Sequence, residues 1–179
     1  YYLHRFDANA DVLEILTALQ KAVFAGKIRY YGVSNYSKEQ LETLLAAADK
    51  NHLPRPVVCQ PPLSLLKQDA LAELIPLCAA EDLAVIPYQI YQGGLLTGKY
   101  KRGMEPPKGS RAEEKPAWLA KPDEALYDKL EAIDASAAAR GIPMSAYALR
   151  WTLEQPAVVS AIVGVKSERQ VDDAIAAIG

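Results

Sequence analysis

The sequence predicts an α/β protein, a partial (β/α)8 TIM barrel of five consecutive βα units, on three observations. Short apolar runs alternate with longer amphipathic stretches along all 179 residues, the order of parallel strands joined by right-handed helical crossovers. The runs are apolar throughout, as befits strands buried on both faces. Polar side chains stand where successive runs end, and barrels gather their sites at that end of the strands.

Each element has its own signal. Tyr1–His4 reads as a strand. Asp11–Ala25 reads as a helix, with Val12, Leu16, Leu19 and Val23 at helical spacing and Gly26 as its stop. Ile28–Val33 is the second strand, and Ser37 with Gln40 forms a capping box that opens a helix as far as Asp49. Val57–Gln60 is the third strand, Asp69–Glu81 the third helix and Leu83–Tyr88 the fourth strand. The loop from Gln89 to Pro122, rich in Gly, Pro, Lys and Arg, is too long for a plain connector and points to function. Asp123–Arg140 is a helix ended by Gly141 and Pro143, and Ser145–Glu154 is another. Val158–Val165 is the fifth strand, and Ser167–Ile178 the last helix, with a second capping box at Ser167 and Gln170.

An open doubly wound sheet and a closed barrel both fit this order. Strand starts near residues 1, 28, 57 and 84 set a unit of about 28 residues, so eight units and a long loop need roughly 250–270 residues, the usual barrel size. The shortfall of about 85 residues equals three units. The chain opens inside a strand without a Met and closes inside an apolar helix. Residues 1–179 are therefore expected to be the C-terminal part of a single barrel domain, without its first three βα units and its C-terminal tail.

Composition narrows the partners. A formal charge of -2 gives no electrostatic reason to expect nucleic acid. Two cysteines, Cys59 and Cys78, are too few for a disulfide framework or zinc cluster, so no metal is expected and a reducing, cytoplasmic setting is. Cys59 reads as a small buried apolar residue. No run of about 18 apolar residues exists, so no membrane span is expected, and no signal peptide is expected either. Composition leaves the oligomeric state open.

The strand ends carry His4, then Ser34 and Asn35, then Gln60, then Tyr88 and Gln89. Four consecutive ends of this neutral, hydrogen-bonding kind suit an uncharged, planar, amide-bearing ligand better than a metal or a phosphate. The last strand adds an anion site. Gly164, Lys166 and Arg169 stand at the start of the final helix, whose free N–H groups and partial positive charge attract phosphate. An amide at the rim and phosphates at this edge specify a nicotinamide dinucleotide. The form is NADP if Lys166 and Arg169 meet a ribose phosphate, with NAD as the alternative.

The segments Gly26-Lys27-Ile28-Arg29-Tyr30-Tyr31-Gly32-Val33-Ser34-Asn35-Tyr36, Gln92-Gly93-Gly94-Leu95-Leu96-Thr97-Gly98-Lys99-Tyr100, Ala148-Leu149-Arg150-Trp151 and Ile162-Val163-Gly164-Val165-Lys166-Ser167 resemble, in order, signatures of the aldo-keto reductases. The resemblance covers the whole chain and makes its strands the fourth to eighth of the barrel. It implies an NAD(P)H-dependent oxidoreductase that reduces aldehydes and ketones to alcohols. Ser34, Asn35 and Gln60 would then bind the nicotinamide carboxamide, with Tyr88 stacked on the ring. Gln89, Ile90, Tyr91, Gln92 and Lys99 would follow the pyrophosphate and ribose, and Ser110 and Arg111 would belong to a loop that covers the cofactor. Gly164, Lys166, Gln170 and Asp173 would hold the adenosine end. His4, in Tyr-Leu-His-Arg, matches the histidine that polarises the substrate carbonyl. The family's catalytic Asp, Lys and acid Tyr have no match among these residues, so the chain alone is expected to be inactive. Gln89-Ile90-Tyr91 departs from the more usual Ser-Pro-Leu, and Ala174 stands where an adenine-contacting Asn is common.

Plainer readings exist for each residue: a structural His4, a core Tyr88, solvated Lys166 and Arg169. Lys101-Arg102 and Glu113-Glu114-Lys115 are read as solvated charges without a role. A non-catalytic, cofactor-binding redox sensor, similar to the family's channel-associated members, is the alternative function; His4 favours the enzyme. A barrel isomerase or aldolase would need a base or Schiff-base lysine at a strand end, and no convincing one stands there.

Overall fold

In the computed structural model, residues 1–115, 119 and 122–179 are described; residues 116–118, 120 and 121 of the expected Gln89–Pro122 loop lie outside the described residues. Four strands form one parallel sheet: β1 (Tyr2–Leu3), β2 (Gly32–Ser34), β3 (Val58–Gln60) and β4 (Ala84–Val85). Their spatial order, β1-β2-β3-β4, is their chain order. A doubly wound sheet reverses direction at a switch point. This one does not, and the barrel reading is the one the order supports. The register pairs Tyr2 with Gly32, Val33 with Cys59, and Cys59 with Val85.

Two compact units divide the chain. The first comprises Tyr1–Pro62, Gln68–Tyr88 and Pro156–Ser160, and the second Leu63–Lys67, Gln89–Gln155 and Ala161–Gly179.

The first unit holds the sheet and helices α1 (Val12–Phe24), α2 (Lys38–Lys50) and α3 (Leu74–Ala80). Asp11 caps α1 by accepting the N–H groups of Leu13 and Glu14. Gly26 ends it at φ 67°, a conformation that costs a residue without Cβ nothing. The expected strand Ile28–Val33 begins only at Gly32, because the N–H groups of Lys27 and Ile28 still bond back to the Ala22 carbonyl. At Gly32 the sheet is so tight that a Cβ would lie 2.3 Å from Val58 Cγ1 and 2.7 Å from the Val58 carbonyl. The capping box is formed: the Gln40 N–H donates to Ser37 Oγ, and the Ser37 N–H donates to Gln40 Oε1. α2 buries Leu41, Leu44, Leu45 and Ala48, and α1 buries Leu16 and Leu19. Each such leucine contributes roughly 1.5–3 kcal/mol by leaving water.

The helix expected over Asp69–Glu81 is split into a short 3-10 turn, Asp69–Leu71, and α3. Pro76 is the reason: it has no N–H, and its ring would strike the carbonyl four residues back, so it is tolerated only in a first helical turn. The fifth strand, expected over Val158–Val165, is reduced to one parallel bridge between Val158 and Val85. Beyond Val85, Pro87 offers no N–H for a ladder to continue along.

The second unit is helical, with a 3-10 segment at Gln92–Thr97 and helices α4 (Arg111–Glu114), α5 (Glu124–Ala138), α6 (Met144–Leu153) and α7 (Glu168–Ile178). One cluster gathers Leu95, Leu96, Tyr100, Tyr127, Leu130 and Met144; another gathers Ile90, Ala146, Leu149 and Ala177. The loop charges are exposed but paired. Arg102 reaches Glu124, Asp128 and Glu131 of α5, and Lys101 reaches Asp134 at 2.8 Å. They anchor the loop to α5, a role the sequence reading did not give them.

Candidate functional site

Five predicted residues come together at the strand ends of the first unit. Asn35, directly after β2, takes a left-handed φ of 57°, which Asn adopts more readily than most residues. Its Nδ2 donates to the His4 carbonyl at 2.9 Å and to Ser34 Oγ at 3.0 Å, and its Oδ1 accepts the Tyr88 hydroxyl at 2.5 Å. The Ser34 hydroxyl, buried, donates to the Gln60 carbonyl at 2.9 Å. One hydrogen-bonded chain thus joins the ends of β1, β2 and β3 to the segment after β4. Tyr88 is held there by a parallel bridge to Pro62 and by its N–H donating to the Pro61 carbonyl. The His4 imidazole is exposed and has no hydrogen-bond partner among the described residues.

The donor set fits a planar carboxamide. Asn35 has used both Nδ2 hydrogens but keeps one lone pair on Oδ1, and Gln60 and Tyr88 are half-buried.

The remaining predicted residues belong to the second unit. Gln89 is exposed at φ 60°, and Gln92, at φ 46°, accepts the buried Ser64 hydroxyl on its Oε1 at 3.2 Å. Tyr91 is half-buried, and burial, then the charge of Asp173, pushes its hydroxyl above the ordinary tyrosine range. Lys99 lies over the Tyr100 ring at 5.3 Å. Lys166 Nζ bonds Glu114 Oε2 at 2.6 Å and the Gly109 carbonyl at 3.1 Å. Arg169 pairs with Asp173 at 3.7 Å, and Gly164 is open on its Cβ side.

The aldo/keto reductase family model matches residues 1–179. The chain belongs to the aldo/keto reductase family. Among its relatives, the "Probable voltage-gated potassium channel subunit beta" of Arabidopsis thaliana is 28% identical over 182 residues, 99% of this chain and 55% of the relative. The "L-glyceraldehyde 3-phosphate reductase" of Escherichia coli (strain K12) is 29% identical over 187 residues, 99% of this chain and 52% of that protein. The solved glycerol dehydrogenase AKR11B4 from Gluconobacter oxydans superimposes with a TM-score of 0.81 at 29% identity, over 99% of this chain and 52% of the other. The aldo/keto reductase chain spans about half the length of the curated relatives it matches. Its fold is that of a partial (β/α)8 barrel, and its family is one of oxidoreductases that typically bind nicotinamide cofactors and act on small carbonyl substrates.

Three of the predicted site residues have partners of their own in the structure. The Ile90 side chain is buried with Ala146 and Leu149, because an aliphatic group beside α6 gains more from the core than from solvent, so only its backbone is left for a ligand. Ser110 is buried too, and its Oγ caps α4 by accepting the Glu113 N–H. At α7 the second capping box is half formed. The Gln170 N–H donates to Ser167 Oγ, but Gln170 Oε1 accepts from the Lys166 N–H rather than from Ser167, so Gln170 is occupied in shaping that turn. Glu114, read as a solvated charge, is the residue the sequence reading missed. It stands 52 positions from Lys166, and no spacing links the two.

Among the described residues, no three His, Cys, Asp or Glu side chains gather into a metal-binding group, and no helix is long and apolar enough to cross a membrane.

Proposed function

We propose that this aldo/keto reductase chain is the cofactor-gripping, C-terminal part of a single-domain, cytoplasmic carbonyl reductase that uses NADP in preference to NAD. The observation that carries the reading is the Asn35-centred chain of hydrogen bonds, which sets hydroxyl, amide and phenol groups beside His4. Ser34, Asn35 and Gln60 hold a carboxamide in this reading, and the Tyr88 ring lies against the plane attached to it. The nicotinamide, when bound, supplies the hydride that reduces the carbonyl carbon of an aldehyde or ketone. His4 polarises the carbonyl oxygen and orients it. Gln89, Tyr91, Gln92, Lys99, Arg111 and the backbones of Ile90 and Ser110 line the diphosphate path, and Gly164, Lys166, Gln170 and Asp173 take the adenosine end. The preference for NADP rests on Lys166 and Arg169, two cations at the start of α7. Only His4 of the family's catalytic set has a match here, so the chain by itself binds cofactor without turning it over.

Titrating the chain with NADPH and NADH, followed by reduced-nicotinamide fluorescence, together with an assay of carbonyl-dependent NADPH oxidation, tests this. Binding with NADPH preferred and without turnover is expected. Absence of binding overturns the cofactor reading, and robust turnover overturns the claim of an incomplete catalytic set.

The relatives titled as potassium channel β subunits support a second reading, a redox-sensing subunit that binds the cofactor without catalysis. His4 favours the enzyme.

A further inference from the structure

We propose that Asn35 is a positioning residue for His4: its side chain clamps the end of β1 through the His4 carbonyl, and the Tyr88 hydroxyl holds the clamp. The purpose of the clamp rests on reading His4 as the residue that polarises the carbonyl.

β1 is only two residues long, and its ladder with β2 ends at the pair Leu3–Val33. The His4 carbonyl therefore lies past the last ladder rung, where no strand N–H reaches it. Asn35 supplies the missing donor from its side chain. The left-handed turn at φ 57° takes its backbone out of the sheet and leaves the amide Nδ2 2.9 Å from the His4 carbonyl.

The orientation of the amide follows from which groups can donate. A carbonyl only accepts, so Nδ2 must face His4. Oδ1 then faces Tyr88, whose hydroxyl has to be the donor, at 2.5 Å. The second Nδ2 hydrogen goes to Ser34 Oγ at 3.0 Å. Three bonds leave the amide little freedom to swing. The His4 imidazole carries no such restraint of its own, since it is exposed and unpartnered among the described residues. The point from which it reaches is set by where its backbone is held. On this account Tyr88 does more than offer a ring face: its hydroxyl fixes Asn35, and through Asn35 it fixes His4.

The test is NMR on the isotopically labelled 179-residue chain. Asn35→Gly removes the clamp without straining a backbone that already has positive φ, and Tyr88→Phe removes only the hydroxyl. Asn35→Gly should move the His4 carbonyl carbon resonance upfield and broaden the His4 ring signals as the end of β1 samples several positions. Tyr88→Phe should do the same to a smaller degree. Ser37→Ala, which weakens a neighbouring helix cap, should leave both sets of signals in place. A purely structural Asn35 would lower the melting temperature while the His4 ring signals stayed put, and that result overturns the proposal. NADPH titration of the same samples separates the two readings. A parent chain that ignores NADPH removes the catalytic purpose of the clamp even if the His4 signals move. A chain that binds NADPH while the His4 signals stay unmoved in Asn35→Gly leaves the oxidoreductase reading standing and overturns the clamp.

Discussion

The ammonium of Lys166 lies 2.6 Å from a carboxylate oxygen of Glu114, and its other bond runs to the carbonyl of Gly109. A lysine assigned to a cofactor phosphate is thus held by an anion of its own chain. On the proposed reading, ligand and Glu114 compete for one cation.

Glu114→Gln should therefore tighten NADPH binding, by about two- to fivefold, the scale of an exposed ion pair, and the gain should shrink as salt screens the pair. The hydrogen bond from Lys166, followed by its charge, holds the Glu114 carboxyl below the ordinary glutamate range. A depressed carboxylate keeps its pairing above the unfolded-state value and loses it as pH falls through the folded one. Parent and variant should differ at neutral pH and converge only in acid below the glutamate range. Fluorescence titrations across salt and pH read both effects; equal affinities at neutral pH and low salt would show that Lys166 does not meet the ligand.

Ser37→Ala should cost more stability than Ser167→Ala. Both serines cap helices, but only at α2 does the Gln three residues on return the bond to the cap N–H. Loss of a cap costs about 0.5–2 kcal/mol, and the complete box should stand at the upper end. Urea denaturation of the two variants ranks them.

Gly32→Ala should be the most disruptive small substitution in the sheet. The added methyl would meet Val58 at 2.3 Å on its side chain and 2.7 Å on its backbone, and a carbonyl oxygen cannot step aside. Overpacking typically costs about 1–3 kcal/mol, and a backbone clash between paired strands lies beyond the upper figure. A variant whose denaturation midpoint matches the parent would contradict this packing.

Cys59 and Cys78 are both free and fully buried. Hydrogen bonding with Cys78, then burial, pushes the Cys59 thiol up, while the same hydrogen bond pulls Cys78 down. Neither should react with an aromatic disulfide reagent at mildly alkaline pH until the chain is unfolded, since the thiolate must form and be reached. Stoichiometric labelling of the folded chain would show that unit opening is frequent.

The sequence was readable where both partners of an interaction sit within one turn. Ser37 with Gln40 and Gly26 after α1 are of this kind and the structure shows both, while at Ser167 and Gln170 only half of the expected box forms. Strand lengths were not readable, because a stretch such as Ile28–Tyr31 looks the same whether its N–H groups face a neighbouring strand or, as here for Ile28, a helix carbonyl. Pro76 was visible, but its effect depends on how far into a helix it falls. At the rim, the side-chain types of His4, Asn35 and Tyr88 were legible at their strand ends. Their mutual hydrogen bonds were not, since Tyr88 lies 53 positions from Asn35 and the left-handed turn that aims the amide leaves no mark in composition.

That turn has relatives. Asn35, Gln89 and Gln92 all carry side chains on backbone where glycine would be more comfortable. A procedure that redesigned this chain for thermal robustness alone would replace them early, and would return a sturdier molecule stripped of the groups that, on the proposed reading, address its ligand.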